Sequence, residues 1–179
     1  KRITNYRDFE ERISSITGQM SKDGIKSEDC VAVISKGRAE VAEIFFAAMR
    51  HILREYRAEV LQALASATTP YARASAIIRS SFAPSCFAPA TISAWMTFYA
   101  QAQTQPETKR LLRLYQWRLH SNLTHALRPL SRHPEQDAQR LAALIDGLYL
   151  RAALSEACDP KVACNAALQT LQLLIASDQ

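Results

Sequence analysis

Four aromatic side chains in the middle of this sequence have the types and the spacing that suit binding of an organic cation. Trp95, Phe98 and Tyr99 recur at intervals of three and four residues, which places them on one face of a helix, and Tyr115 lies on the apolar stripe of the next helix. Aromatic walls attract cations through the negative faces of their rings, and quaternary ammonium compounds are familiar ligands of such sites. A second interpretation stays open, because aromatic stripes at helical spacing commonly do no more than pack a core.

Three further side chains are candidates for the same ligand site. Asp146 interrupts the apolar stripe of its own helix, and a carboxylate beside a buried face needs a partner. That partner is either a cationic ligand or, at a contact between subunits, Arg151 or a backbone donor. Asn122 either contacts the ligand or satisfies a buried backbone group. Phe82 precedes a proline-rich connection, where it would close the entrance of the pocket.

The sequence carries none of the motifs that mark common catalytic sites. It has no Gly-rich phosphate loop, no nucleophile elbow, no paired carboxylates on one helical face and no His-Glu-x-x-His motif. Its four histidines and four cysteines show no metal-ligand spacing. We therefore expect no enzyme activity, no bound metal and no cofactor, and we expect the cysteines to be reduced and packed.

The composition favours a helical protein with a weak preference for anionic partners. Hydrophobic residues make up 48% of the chain, and glycine is sparse, as is typical of long amphipathic helices. The net charge of +5 permits a partner such as DNA, although the mixed charges of the first forty residues equally suit a solvated surface. Because no run of about 18 apolar residues occurs, we predict a soluble, cytoplasmic protein without a membrane segment.

Prolines divide the sequence into helices. Proline suits the first position of a helix, because the N–H that it lacks would have no partner there. The apolar periodicity restarts at Pro70, Pro89, Pro106, Pro134 and Pro160. It predicts a long helix from about Glu40 to Leu64 and five shorter helices after it, and no segment has the pattern of a strand. The predicted fold class is therefore all-α.

The last two predicted helices, Glu135–Glu156 and Pro160–Ile175, are candidates for a contact between subunits. The final helix is apolar over more than one face, and such a helix must be covered on both sides. A second copy would cover it in an isologous four-helix interface, whereas the alternative is a final helix buried wholly in its own core. The side chains assigned to the interface are Leu141, Leu144, Ile145, Leu148, Leu171 and Leu174.

Residues 141–154, Leu-Ala-Ala-Leu-Ile-Asp-Gly-Leu-Tyr-Leu-Arg-Ala-Ala-Leu, closely resemble the penultimate helix of one group of TetR-family regulators. This is the betaine-pathway, choline-responsive group. Residues 94–99 followed by Gln105-Pro106, and residues 118–123, resemble two earlier helices of its ligand domain. The resemblance covers about residues 76–155. It implies an N-terminal helix-turn-helix head over residues 1–44 and a ligand-binding and dimerisation body over residues 45–179.

The resemblance is weaker in the head. Residues 9–24 resemble its first helix and the end of that helix, residues 29–36 the second, and residues 38–64 the long connecting helix. The recognition helix is missing between Gly37 and Arg38. Either the printed sequence omits residues at this point, or the head is degenerate and no longer binds DNA. The residues assigned to DNA contact are Lys26, Ser35, Lys36 and Arg38.

The resemblance implies a ligand-responsive transcription regulator, expected to be a repressor. Such a protein binds operator DNA as a homodimer and is released by a small-molecule effector, for which a quaternary ammonium compound is the candidate here. Effector binding would shift the long helix and change the separation of the two heads. The alternative is a TetR-like helical body that binds a small molecule or a protein without binding DNA.

Overall fold

The computed structural model describes residues 11, 15–16, 18–20, 22–23, 38–155 and 159–176, with side chains described from residue 45 onwards in the long ranges. Within residues 38–155 and 159–176 it shows α-helices, one short 3-10 helix and no strand. The α-helices are α1 (Arg38–Ser66), α2 (Pro70–Ser81), α3 (Pro89–Ala102), α4 (Pro106–Leu127), α5 (Pro134–Ala153) and α6 (Pro160–Ala176), and the 3-10 helix is Pro84–Phe87. The prediction of an all-α chain is confirmed.

Each helix from α2 to α6 begins with proline, as the sequence predicts. Two of these helices also have side-chain caps. The Thr69 hydroxyl accepts a hydrogen bond from the backbone N–H of Ala72 at 3.1 Å, and the Asp159 carboxylate accepts one from the backbone N–H of Lys161 at 2.8 Å. These bonds satisfy N–H groups that have no partner inside the helix, so the helix starts are set locally.

Helix α2 lies at the centre of the body. It contacts α1, α4 and α6, and Ala74, Ile77 and Ile78 on its inner face are fully or almost fully buried. Helices α3, α4 and α5 pack in sequence, and α1 contacts α3. This arrangement leaves a space that is bordered by α1, α3, α4 and α5, and the end of α2 closes one side of it.

The N-terminal segment is described only in part. Residues 11, 15–16, 18–20 and 22 are helical and Asp23 lies in a turn, which agrees with the predicted first helix. Its predicted end at Gly24 lies outside the described residues. Ile16 packs against Phe46 and Ala47 of α1. The predicted second helix, residues 29–36, lies outside the described residues. The predicted boundary at residue 44 falls within α1, and the division into head and body stays a prediction.

The side chains assigned to a subunit interface separate into two groups. Leu141, Ile145 and Leu171 are fully or almost fully buried among the chain's own helices, so they offer no surface to a second copy. This part of the assignment is corrected, because α5 and α6 turn these residues toward the chain's own core. Leu144, Leu148 and Leu174 are half-buried at the edge of that core.

The exposed apolar side chains of α5 and α6 are different ones. Val162 and Leu173 are 66% and 70% exposed on the outer face of α6, and Leu154, just after α5, is 71% exposed. Gly147 lies on α5, and a Cβ atom added there would meet no atom within 4 Å.

Among the helices of the described ranges, none combines the length and hydropathy that a span of the lipid bilayer requires.

Candidate functional site

A cavity of about 90 Å³ lies in the space bordered by α1, α3, α4 and α5. One water molecule needs roughly 10–15 Å³ of cavity volume measured in this way. The cavity therefore has room for several waters or for one small organic ion. Its walls include Trp95 and Tyr99 from α3, Tyr115 from α4, and Asp146 and Tyr149 from α5. The remaining lining residues are His51, Ile52, Glu55, Tyr56, Ser81, Ser85, Cys86, Thr91 and Ile145.

Trp95 is the centre of the aromatic wall. Its ring centroid lies 5.0 Å from that of Tyr115, 5.7 Å from that of Tyr99 and 6.4 Å from that of Tyr149. Tyr56 of α1 contacts the other side of Tyr115, at 6.1 Å between centroids. Five aromatic rings from four helices therefore surround one small space. A desolvated cation against such faces gains about 2 kcal/mol or more.

Hydrogen bonds hold two of these rings in place. The hydroxyl groups of Tyr56 and Ser81 lie 2.9 Å apart, and Tyr149 donates to the backbone carbonyl of Cys86 at 2.9 Å. Burial raises the pKa of Tyr56 to about 12 and also raises the pKa of Tyr99 and of Tyr115 above the ordinary value, with the nearby Asp146 carboxylate acting in the same direction. The tyrosines therefore stay neutral near pH 7, and the negative charge at this end of the cavity comes from Asp146.

Asp146 is half-buried and accepts one hydrogen bond, from the Tyr115 hydroxyl at 3.3 Å. Burial raises its pKa to about 6, and the bond from Tyr115 only partly opposes this effect. Among the described residues, no basic side chain forms an ion pair with it, Arg151 included. Glu55 also lines the cavity, and none of the lining residues that the structure describes is lysine or arginine. The cavity thus combines aromatic faces with carboxylates that have no cationic partner inside it.

Residues 70–176, which comprise helices α2 to α6, match the family model described as BetI-type transcriptional repressor, C-terminal. This match covers more than half of the chain. The chain belongs to this family. Helices α2 to α6 therefore form a BetI-type C-terminal body, and α1 adds one wall to the cavity.

The curated relatives agree with this assignment. The chain is 46% identical over 114 residues to the HTH-type transcriptional regulator BetI of Brucella canis, a match that covers 63% of this chain and 58% of that protein. It is 47% identical over 116 residues to the protein of the same name from Brucella anthropi, covering 63% and 59%. For that of Rhizobium meliloti, the identity is 44% over 119 residues, covering 64% and 58%. The chain thus spans less than two thirds of the length of these relatives. No solved structure matches it significantly.

In this BetI-type body the predicted ligand residues do not all meet at the cavity. Trp95, Tyr99, Tyr115 and Asp146 line it. Phe98 is fully buried between Trp95 and Phe45, with ring centroids at 5.6 and 6.4 Å, and serves as core behind the wall. The assignment of Phe98 to the wall is corrected, because one residue along a helix rotates a side chain by about 100°.

Phe82 and Asn122 also lie away from the cavity. Phe82 is buried and stacks on Phe87 at 6.3 Å, and Phe87 in turn contacts the ring of Tyr149 at 5.0 Å, so Phe82 supports the wall from behind. Asn122 is exposed two helical turns beyond Tyr115, about 10 Å along α4, and faces a surface groove instead. Neither its predicted contact with the ligand nor its predicted buried role fits this position.

Sequence reasoning missed two tyrosines that complete the cavity. Tyr149 follows Asp146 by three residues on α5, a spacing that indicates a shared face. Tyr56 lies on the apolar stripe of α1 and gives no further signal in the sequence. Whether Tyr56 lines the cavity depends on how α1 packs against α4, and the local periodicity of the sequence does not determine that packing.

The residues assigned to DNA contact are not tested by this structure. Lys26, Ser35 and Lys36 lie outside the described residues, and Arg38 is described only as the first residue of α1.

Over the described part of the chain, no group of three or more histidine, cysteine, aspartate or glutamate side chains has the arrangement of a metal site. Cys86 and Cys164 carry free thiols.

Proposed function

We propose that this protein is a ligand-responsive transcriptional repressor that binds operator DNA as a homodimer and releases it when a small cation occupies the cavity. The observation that carries the proposal is the cavity itself: an aromatic wall around an Asp146 carboxylate, inside a body of the BetI-type repressor family. The curated relatives are named transcriptional regulators, which supports a regulatory and not an enzymatic role.

The chemistry of the cavity favours a quaternary ammonium compound as the effector. Such an ion has a permanent charge but no N–H donor, so aromatic faces can replace its weakly held hydration shell. A carboxylate that has no cation beside it supplies the opposite charge. An anionic effector would instead meet Asp146 and Glu55, with no lysine or arginine among the described residues of the cavity wall.

Occupancy of the cavity acts on α1 directly. His51, Ile52, Glu55 and Tyr56 are four lining residues from this helix, and α1 begins at Arg38, close to the predicted head. A ligand that binds more tightly to one position of α1 shifts the population toward that position. In a dimer this would change the separation of two heads that must fit half-sites about 34 Å apart on DNA.

The homodimer is assigned to the outer faces of α5 and α6. Val162 and Leu173 lie on one stripe of α6 and are mostly exposed in the single chain, and Gly147 on α5 allows a close approach by another helix. Two such helix pairs related by a twofold axis form a four-helix contact that buries these side chains.

The test is binding of the full chain to the DNA upstream of its own gene, by mobility shift over a range of salt concentrations. We expect a complex whose affinity falls steeply with salt, because each neutralised phosphate releases counterions. Choline or tetramethylammonium should dissociate the complex, whereas 3,3-dimethyl-1-butanol, the neutral isostere of choline, should not. If no complex forms even at low salt while choline still raises the melting temperature, the protein is a ligand-binding body that does not bind DNA.

A further inference from the structure

A second and larger concave surface lies between α1 and α4, on the other side of Tyr56 and Tyr115 from the cavity. It is a groove of about 710 Å³. This volume is within the range of roughly 300–1,000 Å³ that small-molecule sites occupy. The proposed effector has no role for it, since a small cation is already accommodated in the cavity.

The floor of the groove is apolar and partly open to solvent. Leu61 on α1 is 53% exposed and Leu114 on α4 is 41% exposed, and both line it. The other apolar lining residues are Phe46, Leu53, Val60, Leu64, Leu111 and Leu119. Exposed leucines at the base of a concave surface are characteristic of binding sites more than of ordinary surface.

Five arginines surround this floor. Arg50, Arg54 and Arg57 follow one another at helical spacing along α1, and Arg110 and Arg118 face them from α4. Among the lining residues that the structure describes, Glu107 alone is acidic. Arg54, Arg57 and Arg118 form no ion pair with any described residue. Arg54 and Arg57 lie three residues apart on one helix, where like charges repel each other, so an anion placed beside both would relieve the repulsion.

We propose that this groove is a second ligand site, which binds an anionic amphiphile with a single acyl chain, such as a fatty acid. Arg54, Arg57 and Arg118 would hold the carboxylate, and the leucine floor would cover the acyl chain. From Arg50 to Leu64 the α1 wall extends about 21 Å, which is long enough for an extended chain. Because the groove is concave, it can enclose a single free chain, whereas a bilayer presents a flat surface.

The groove and the cavity select opposite charges. In the described part of the chain, the cavity is lined by Asp146 and Glu55 and by no arginine or lysine, whereas the groove is lined by five arginines and one glutamate. Tyr56 and Tyr115 line both spaces and separate them. The groove is therefore a different site from that of the proposed effector, and its binding of an anion does not depend on whether the cavity binds a quaternary ammonium ion.

The test is calorimetric titration of the full chain with decanoate below its micellar concentration. We expect one decanoate to bind per chain. Its affinity should rise roughly two- to fourfold for each methylene added from hexanoate to decanoate, because each methylene that leaves water for the groove makes the free energy of binding more favourable. Acetate lacks the chain and octyl glucoside lacks the charge, so both should bind at least about tenfold more weakly than decanoate.

Two matched pairs of substitutions locate the site. Arg54→Gln with Arg57→Gln should weaken decanoate binding about tenfold or more, because both side chains line the groove. Lys109→Gln with Arg113→Gln removes the same charge from exposed positions of α4 outside the groove and should leave the affinity within about twofold. Leu61→Asp, also at an exposed position, should abolish binding without lowering the melting temperature.

Three results would overturn the proposal. One is the absence of decanoate binding by a folded chain, and another is an equal loss of affinity in both pairs of variants. The third is binding to phosphatidylglycerol vesicles without binding to free decanoate, which would make the surface a membrane contact. Choline binding, followed separately by thermal shift, distinguishes failure of this proposal from failure of the effector proposal.

Discussion

At the scale of single residues, Asp146 has two opposing effects on the protein. Its carboxylate gives the cavity a negative charge, but burial raises its pKa to about 6 from an ordinary value of 3.8. The folded state therefore holds this proton more tightly than the unfolded chain does. As pH rises from about 4 to 6, the unfolded chain gives up its proton first, and Asp146 lowers the free energy of unfolding. Sites selected for binding commonly carry such a cost in stability.

Asp146→Asn should separate these effects. At pH 8 and without ligand, we expect the variant to be more stable than the parent by about 1–3 kcal/mol, because the buried charge is gone and the amide oxygen still accepts from Tyr115. We expect its affinity for tetramethylammonium to fall about tenfold or more. Urea unfolding and calorimetry measure the two quantities. If the variant is both less stable and unchanged in its affinity for tetramethylammonium, the assignment of Asp146 to the ligand site is wrong.

The same carboxylate makes cation binding depend on pH. Below about pH 6 Asp146 takes up a proton, so affinity for tetramethylammonium should fall by up to about tenfold per pH unit and level off above pH 7. The ligand has a permanent charge and does not titrate. Calorimetry at pH 5, 6 and 8 measures the effect.

Two variants serve as controls for this pH dependence. His51 also lines the cavity, so His51→Gln shows what part of the dependence belongs to the histidine. In the Asp146→Asn variant, the affinity for tetramethylammonium should not change between pH 8 and pH 5, the range over which the affinity of the parent protein falls. A parent profile without any slope across this range would mean that Asp146 does not contact the ligand.

At the scale of helices, the caps give a direct measure of local stabilisation. Thr69→Ala removes the hydroxyl that accepts from Ala72 at the start of α2 and should lower the free energy of unfolding by about 1 kcal/mol. Thr69→Ser keeps the acceptor and is the matched control. Thermal unfolding followed by circular dichroism compares them. An alanine variant as stable as the serine variant would show that Pro70 alone sets the start of this helix.

Helices were predictable from the sequence because the signals for their starts are local. The prolines at the first positions of α2 to α6, with Thr69 and Asp159 before two of them, act within one turn. Which side chain lines the cavity was only partly predictable. Phe98 and Tyr99 are neighbours in sequence, yet one packs the core and the other faces the cavity, because the answer depends on where neighbouring helices lie.

The same limit applies to α6. Its apolar residues cover several faces, and the sequence alone does not show which face the chain's own core takes. In the structure Leu171 is buried and Leu173, two positions on, is mostly exposed. The assignment of the leucines to a subunit contact therefore needed the packing of α2 and α5 against α6, which is a property of the whole body.

At the scale of the whole molecule, we expect the outer face of α6 to decide the state of assembly. Leu173→Glu places a charge on a mostly exposed position, so we expect a folded chain that sediments as a monomer. Leu61→Glu, an equal change on α1, should remain a dimer. Analytical ultracentrifugation with circular dichroism measures assembly and folding together. A normal dimer of the Leu173→Glu variant would place the contact elsewhere. Leu171→Glu is unsuitable for this test, because a buried charge unfolds the chain.

The contrast between the two tryptophans of this chain makes the protein its own fluorescent reporter. Trp95 is 7% exposed in the cavity wall, whereas Trp117 is 65% exposed on α4. Trp117→Phe would leave one indole, in contact with the rings of Tyr99, Tyr115 and Tyr149. Its emission should be blue-shifted in the folded chain and should change in intensity when a cation settles on the indole face. Occupancy of the cavity could then be followed optically, without a dye, on the timescale of binding itself.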